Sequence, residues 1–492
     1  MTTRKHWIGL AIVAVWLAAT ALLIEREFGG QRLELTGETP AGTSSTWLGL
    51  YLADGPRVGH VHLRRQEESR SEQPGTRLTL DLQMAMQLLG RETDLTVSGV
   101  LWRSADGQSA ELDVTVDSSE QTVRLVGALA DGQLVAEVES GGQSFPFEVP
   151  LEADVLLQSG GLGAAVGLPV LAVGDDIRLP SFDPITLSRG TARIRCVREE
   201  TLEIAGRQVR ARRLEVEASG LNSTAWIDLE GEVVRAETPV GLVLERIDPS
   251  ALATSEAAGG AAAGGGDFLA RTAIRPTGER PFRGARRLEA RLSMAEGPLP
   301  PVPSGGAQRF AAGGRLTVDA RPGALTASEQ PPTDLLAADA FVQSDHPLLR
   351  QQAAGIVGDL EDPRAQAEAL YEWVFTEIEK VPVMSLPSAL EVLETRRGDC
   401  NEHTVLFAAL ARAVGLPTRI AVGLVWSEDL AGFYYHAWPE VLIGEVFVRL
   451  DPTLGQPVAD ATHIKLLEGG IESWPRLLPY LGRLQIEILE IE

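Results

Sequence analysis

Between Trp47 and Ile247, apolar and polar residues alternate in one short run after another, with turn residues between the runs and no long stretch at helical spacing. A period of two sends successive side chains to opposite faces of a strand. Strands that follow one another without crossover helices pair antiparallel. Arg77-Leu-Thr-Leu-Asp-Leu82, Leu112-Asp-Val-Thr-Val116 and Arg213-Leu-Glu-Val-Glu217 show the pattern. It predicts an antiparallel β-rich domain over residues 45–248, as a sheet, sandwich or open barrel. Within it, the apolar, Gly-rich stretch from Gly160 to Gly174 is expected to form a short helix and loop beneath the sheet.

A segment of a different kind precedes that region. Arg4 and Lys5 lead into an apolar run from Trp7 through Ile24, closed by Glu25-Arg-Glu27. A helix of this length just crosses the hydrocarbon core. The basic residues on its N-terminal side place that end in the cytoplasm. A cleaved signal peptide is the rival, with a shorter apolar stretch and a small-x-small site. Ala18-Ala-Thr20 is a poor site, and Leu22-Leu-Ile24 runs on past it. Residues 1–25 are therefore expected to anchor a single-pass protein in the inner membrane, with its body in the periplasm or extracytoplasmic space.

The chain has 492 residues, which suggests about three domains. Residues 249–332 open with the Ala/Gly-rich stretch Ala251 to Gly266, a flexible linker by composition. Thr272-Ala-Ile274, Arg287-Leu-Glu-Ala-Arg-Leu292 and Arg315-Leu-Thr-Val318 then read as strands, punctuated by Pro298 to Pro303 and Pro331-Pro332. They are either a small β-module or strands packed on the C-terminal domain. From Thr333 the spacing turns helical, at Asp345 to Ala353 and Pro363 to Lys380, and residues 333–492 are taken as that last domain. The whole is an α+β chain. A net charge of −24 with no basic patch argues against a nucleic-acid partner.

Chemistry concentrates near the C-terminus. Asp399 and Glu402 have the spacing of a capping box, and an apolar-periodic run from Thr404 to Val414 ends at Gly415-Leu-Pro417. This predicts a helix with Cys400 in its first turn. The helix dipole and unpaired N–H groups there favour negative charge, so the thiol is expected to lose its proton readily. His436 lies in Phe433-Tyr-Tyr-His-Ala-Trp-Pro-Glu440, and Asp451 in Phe447-Val-Arg-Leu-Asp-Pro-Thr453. Both segments read as short strands joined at Gly444, an arrangement that sets the Asp451 carboxylate beside the imidazole.

Gly398-Asp-Cys-Asn-Glu-His-Thr404, Tyr435-His-Ala-Trp-Pro-Glu440 and Leu450-Asp-Pro-Thr453, with the helix text Leu406 to Arg419, resemble the transglutaminase-like (papain-like thiol) superfamily in its bacterial branch. The resemblance covers roughly the last third of the chain. It implies a papain-like or transglutaminase-like α+β catalytic domain, with Cys400 as nucleophile, His436 as general base and acid, and Asp451 orienting His436. The backbone N–H of Cys400 is the first oxyanion donor; Trp373, in a helical run, reads as a core residue.

These residues point to acyl transfer at an amide or peptide carbonyl, through a thioester resolved by water or by an amine. The reaction needs no cofactor. The expected substrate is a protein, a peptide or a cell-wall peptide. Tyr434 and Trp438 fall on the face of His436 by alternation and are candidate substrate-binding residues. Two other classes stay open: a catalytically silent envelope scaffold or binding protein, and a zinc site built on Cys400 and His403 with His436, Asp451 and His463 to complete it. Cys196, in the alternating run Thr191 to Val197, reads as a small buried hydrophobe that does not pair with Cys400.

Overall fold

The computed structural model describes residues 43–492 except 54, 89–90, 107, 119–121, 141–142, 151–155, 158–170, 184–187, 219–220, 239–240, 253–272, 296, 322, 326–334, 340, 382–387, 470–476, 478–479 and 481. The apolar run Trp7–Ile24, most of Gly160–Gly174 and most of the Ala/Gly-rich linker lie outside the described residues. Among the described residues, no helix is long and apolar enough to cross a membrane.

The alternating region folds as its period requires. Among the described residues, fifteen strands between Ser44 and Arg246 form one sheet. Every pairing is antiparallel except that of the two-residue strand Leu156–Leu157. The first strand, Ser44–Leu52, pairs with the last, Leu242–Arg246, so that Leu48 faces Arg246 and Leu52 faces Leu242. Two meanders run outward from that seam, and among the described residues their outer strands do not pair with each other. Over the described residues the sheet is open. Leu48, Leu50, Leu82, Ile194, Leu214 and Leu244 share one buried cluster on it, each contributing roughly 2 kcal/mol by burial. Exposed pairs such as Arg193–Asp176 and Arg124–Asp113 decorate the sheet and add little.

The second body has a single core that runs from Ile274 to Ile488. Four helices, Pro347–Val357, Pro363–Glu377, Ala389–Thr395 and Cys400–Ala413, stand beside a four-stranded sheet. That sheet has the order Val446–Arg449, Gly432–Ile443, Thr418–Ser427, Ile464–Glu468. The strands Arg287–Met294, Gln308–Ala311 and Arg315–Asp319 do not form a core of their own. They join the C-terminal strand Leu484–Ile491 in a five-stranded sheet, and their Leu288, Ala290, Leu316 and Val318 belong to the same core.

His346 and Asp362 cap the first two helices, each followed by a proline whose missing N–H costs nothing at that position. The Cys400–Ala413 helix is buried at every position from Glu402 to Ala411, so packing against its neighbours, rather than propensity, holds it.

Candidate active site

The N-terminus of the buried helix is built by its own sequence. Asp399 Oδ1 accepts the Asn401 N–H at 2.8 Å, and Glu402 Oε2 accepts the Asp399 N–H at 2.8 Å, completing the capping box. Cys400 becomes the first helical residue and remains half-buried. Gly398 permits the arrangement, because any Cβ there meets the Cβ and Cγ of Glu402.

His436 sits mid-strand in Gly432–Ile443, opposite Gly423. Gly423 is required there: a Cβ would meet the Ile464 carbonyl of the next strand. On the other side, the hairpin at Gly444, with φ 63°, brings in Val446–Arg449. Asp451 follows two residues later. Its Oδ2 lies 2.8 Å from His436 Nε2, and its Oδ1 accepts the Thr453 and Leu454 N–H groups at 2.9 Å each.

Because a carboxylate only accepts, this pattern puts a hydrogen on His436 Nε2. His436 Nδ1 is buried without a hydrogen-bond partner and is the nitrogen left to exchange a proton. The backbone N–H of Ala437, the neighbouring residue, donates to the Cys400 thiol. Cys400 therefore lies against the strand that carries His436, and His436 is bonded to Asp451.

Residues 350–452, which carry all three groups, match the model of the transglutaminase-like superfamily. This segment is a transglutaminase-like core. A search of the curated proteins finds no match to the chain. Among solved structures, a candidate cysteine protease from Cytophaga hutchinsonii is similar at 17% identity and a TM-score of 0.27, covering 45% of this chain and 85% of that one. A β-barrel-like protein with a domain of unknown function from Brucella abortus aligns at 10% identity and a TM-score of 0.31, over 42% of this chain and 97% of that one. A candidate protease from Parabacteroides distasonis aligns at 8% identity and a TM-score of 0.21, over 53% and 63%.

The electrostatics of the transglutaminase-like core correct one expectation. Burial pushes the Cys400 thiol well above its usual range, the Asp399 carboxylate adds to this, and the Ala437 N–H opposes it only in part. A helix end alone does not make a thiolate when carboxylates surround the sulphur. Asp451 behaves in the opposite way. Burial opposes its charge, but the imidazoles of His436 and His463 outweigh burial and hold its carboxyl well below the usual range.

The remaining expected residues divide. Tyr434 is half-buried, with its ring 5.8 Å from that of His436. Trp438 is fully buried, at 6.3 Å from His436, and offers no surface to a substrate; it covers the imidazole instead. Trp373 packs on the core under the Arg396 guanidinium, 4.4 Å from its ring centroid. His403 Nδ1 donates to the Asp399 carbonyl at 2.7 Å, and burial lowers its pKa to about 4. Neither cysteine is in a disulfide; Cys196 is buried and Cys400 half-buried.

Among the described residues, the acid–imidazole cluster here is His436, Asp451 and His463, without Cys400 or His403. Its contacts of 2.8 and 2.9 Å are direct hydrogen bonds to one oxygen. These three are ligands the zinc reading named to complete its site; Cys400 and His403, on which it was built, are not in the cluster.

Sequence spacing grouped His463 with His436 and Asp451 only as a zinc ligand, not as a hydrogen-bond partner of Asp451. His463 sits just before the edge strand Ile464–Glu468, yet its Nε2 reaches Asp451 Oδ2 at 2.9 Å. Arg449 holds it there. The buried Arg449 guanidinium donates to the carbonyls of Ala459, Asp460 and His463 at 3.0, 3.1 and 3.1 Å, pinning the returning loop.

Proposed function

We propose that the protein is a cysteine-dependent acyl-transfer enzyme acting on amide or peptide carbonyls, with Cys400, His436 and Asp451 as its triad. The observation that carries this reading is the 2.8 Å contact of His436 Nε2 with Asp451, which leaves the buried Nδ1 without a hydrogen-bond partner. In the reaction, the Cys400 Sγ–H proton passes to His436 Nδ1 as sulphur bonds to the carbonyl carbon. Asp451 stabilises the imidazolium. His436 then protonates the departing amine, the C–N bond breaks and a thioester remains. The Cys400 backbone N–H is the first donor to the developing oxyanion. Water resolves the thioester in a peptidase or amidase, and an amine does so in a transglutaminase.

The apolar run Trp7–Ile24 and its basic flank support an anchored protein whose body faces outward, toward protein, peptide or cell-wall peptide. The test of the reaction is incubation with a peptide and protein panel, with and without a labelled primary amine, read by mass spectrometry. Cleaved or deamidated product identifies hydrolysis, and amine incorporation identifies transamidation. Neither product, from protein whose Cys400 is intact, counts against acyl transfer.

A further inference from the structure

His463 lies beyond the residues that match the transglutaminase-like model, yet it is fully buried beside the triad carboxylate. Its two ring nitrogens face two acids. Nε2 is 2.9 Å from Asp451 Oδ2, and Nδ1 is 3.2 Å from the Asp460 carbonyl and 3.3 Å from Asp460 Oδ1. All of these atoms are acceptors, so each nitrogen must carry a hydrogen, and a ring with both is a cation. Asp460 is itself fixed by the Thr462 N–H and hydroxyl, the Gly284 N–H and the Gln456 amide.

We infer that His463 is a positioning residue, an imidazolium held between Asp451 and Asp460 that fixes the Asp451 carboxylate and sets how strongly His436 takes up a proton. The inference rests on the acyl-transfer reading of Cys400, His436 and Asp451. The charged groups around the ring are Asp451, Asp460, His436 at 5.8 Å between ring centroids, Arg449 through its bond to the His463 carbonyl, and Arg283 beyond Asp460. Burial disfavours the His463 cation, but the two carboxylates outweigh burial and raise its pKa. A cation on the far side of Asp451 offsets part of that carboxylate's charge. A residue that must both accept and return a proton is served by a carboxylate partner whose charge is partly offset.

The test is an NMR titration of the full chain carrying ring-¹⁵N-labelled histidine. His463, assigned by its loss in His463→Gln, should keep hydrogens on both nitrogens at pH values above the ordinary histidine midpoint. In His463→Gln, which removes the cation from the far side of Asp451, the His436 midpoint should rise. If that variant folds poorly, Asp460→Asn leaves the ring in place and removes the far carboxylate, and His463 should then lose its second hydrogen at lower pH than in wild type. A His463 that titrates like an ordinary imidazole, or a His436 midpoint that stays put in the folded variant, overturns the inference. Haloacetamide labelling of Cys400 in wild type and His436→Ala, run in parallel, keeps the two ideas apart: a rate indifferent to His436 sinks the acyl-transfer reading without touching the titration result.

Discussion

His436 and His463 donate to the same oxygen, Asp451 Oδ2, from 2.8 and 2.9 Å. The other oxygen takes two backbone N–H groups of the following turn. Four donors thus converge on one buried carboxylate, which fixes both its position and the ring it orients.

Replacing that carboxylate tests orientation and folding together. Asp451→Asn keeps the shape but turns a donor toward the imidazoles, and the acylation rate should fall by about 10²- to 10⁴-fold. Asp451→Ala should also lower thermal stability, because it leaves buried N–H groups without an acceptor at about 1–3 kcal/mol each. Single-turnover acylation and melting temperature, measured on both variants, check this. An alanine variant as stable as wild type contradicts the buried geometry.

Acid should unfold this protein in two stages. His403 has its pKa lowered from 6.5 to about 4, chiefly by burial, so the unfolded chain binds a proton there before the folded one does. Stability is therefore lost as pH falls through that window. Glu440 is lowered from 4.5 to about 2; burial opposes its charge, but Lys465 and Arg419 outweigh it. Its contribution, on the order of 3 kcal/mol, is present above 4.5 and lost as pH falls toward 2. Denaturant midpoints against pH should show both slopes. Glu440→Gln should flatten the lower one, and His403→Gln the upper one.

Gly398→Ala should act on the nucleophile from a distance. The new Cβ runs into Glu402, so either the capping box opens or the helix start shifts. A loss of about 1–3 kcal/mol is expected, with slower labelling of Cys400. Urea melts and labelling rates measure the two effects. Unchanged values for both contradict the tight contact between Gly398 and Glu402.

What the sequence made legible was local. The Asp399–Glu402 pair, the Gly444 turn and the alternation Tyr434, His436, Trp438, Glu440 each express a short-range rule, and each element formed where that rule puts it. The residues it did not place depend on contacts between distant segments. His463 returns to Asp451 only because Arg449 grips the carbonyls of a loop rich in turn residues. The raised Cys400 thiol reflects packing around the sulphur, which helix-end chemistry does not report. Leu484–Ile491 inserts beside Arg287–Met294 from nearly the far end of this body, a pairing no local spacing announces.

The central claim is that His436 activates Cys400. The measurement that tests it most directly is the rate at which a small haloacetamide labels Cys400 in the whole chain near neutral pH, located by mass spectrometry, in wild type and in folded His436→Ala. Because the surroundings of Cys400 push its thiol upward, losing the imidazole should slow labelling by at least about a hundredfold. Equal rates in the two proteins would mean that Cys400 is an ordinary thiol, and would favour a silent envelope scaffold over an enzyme.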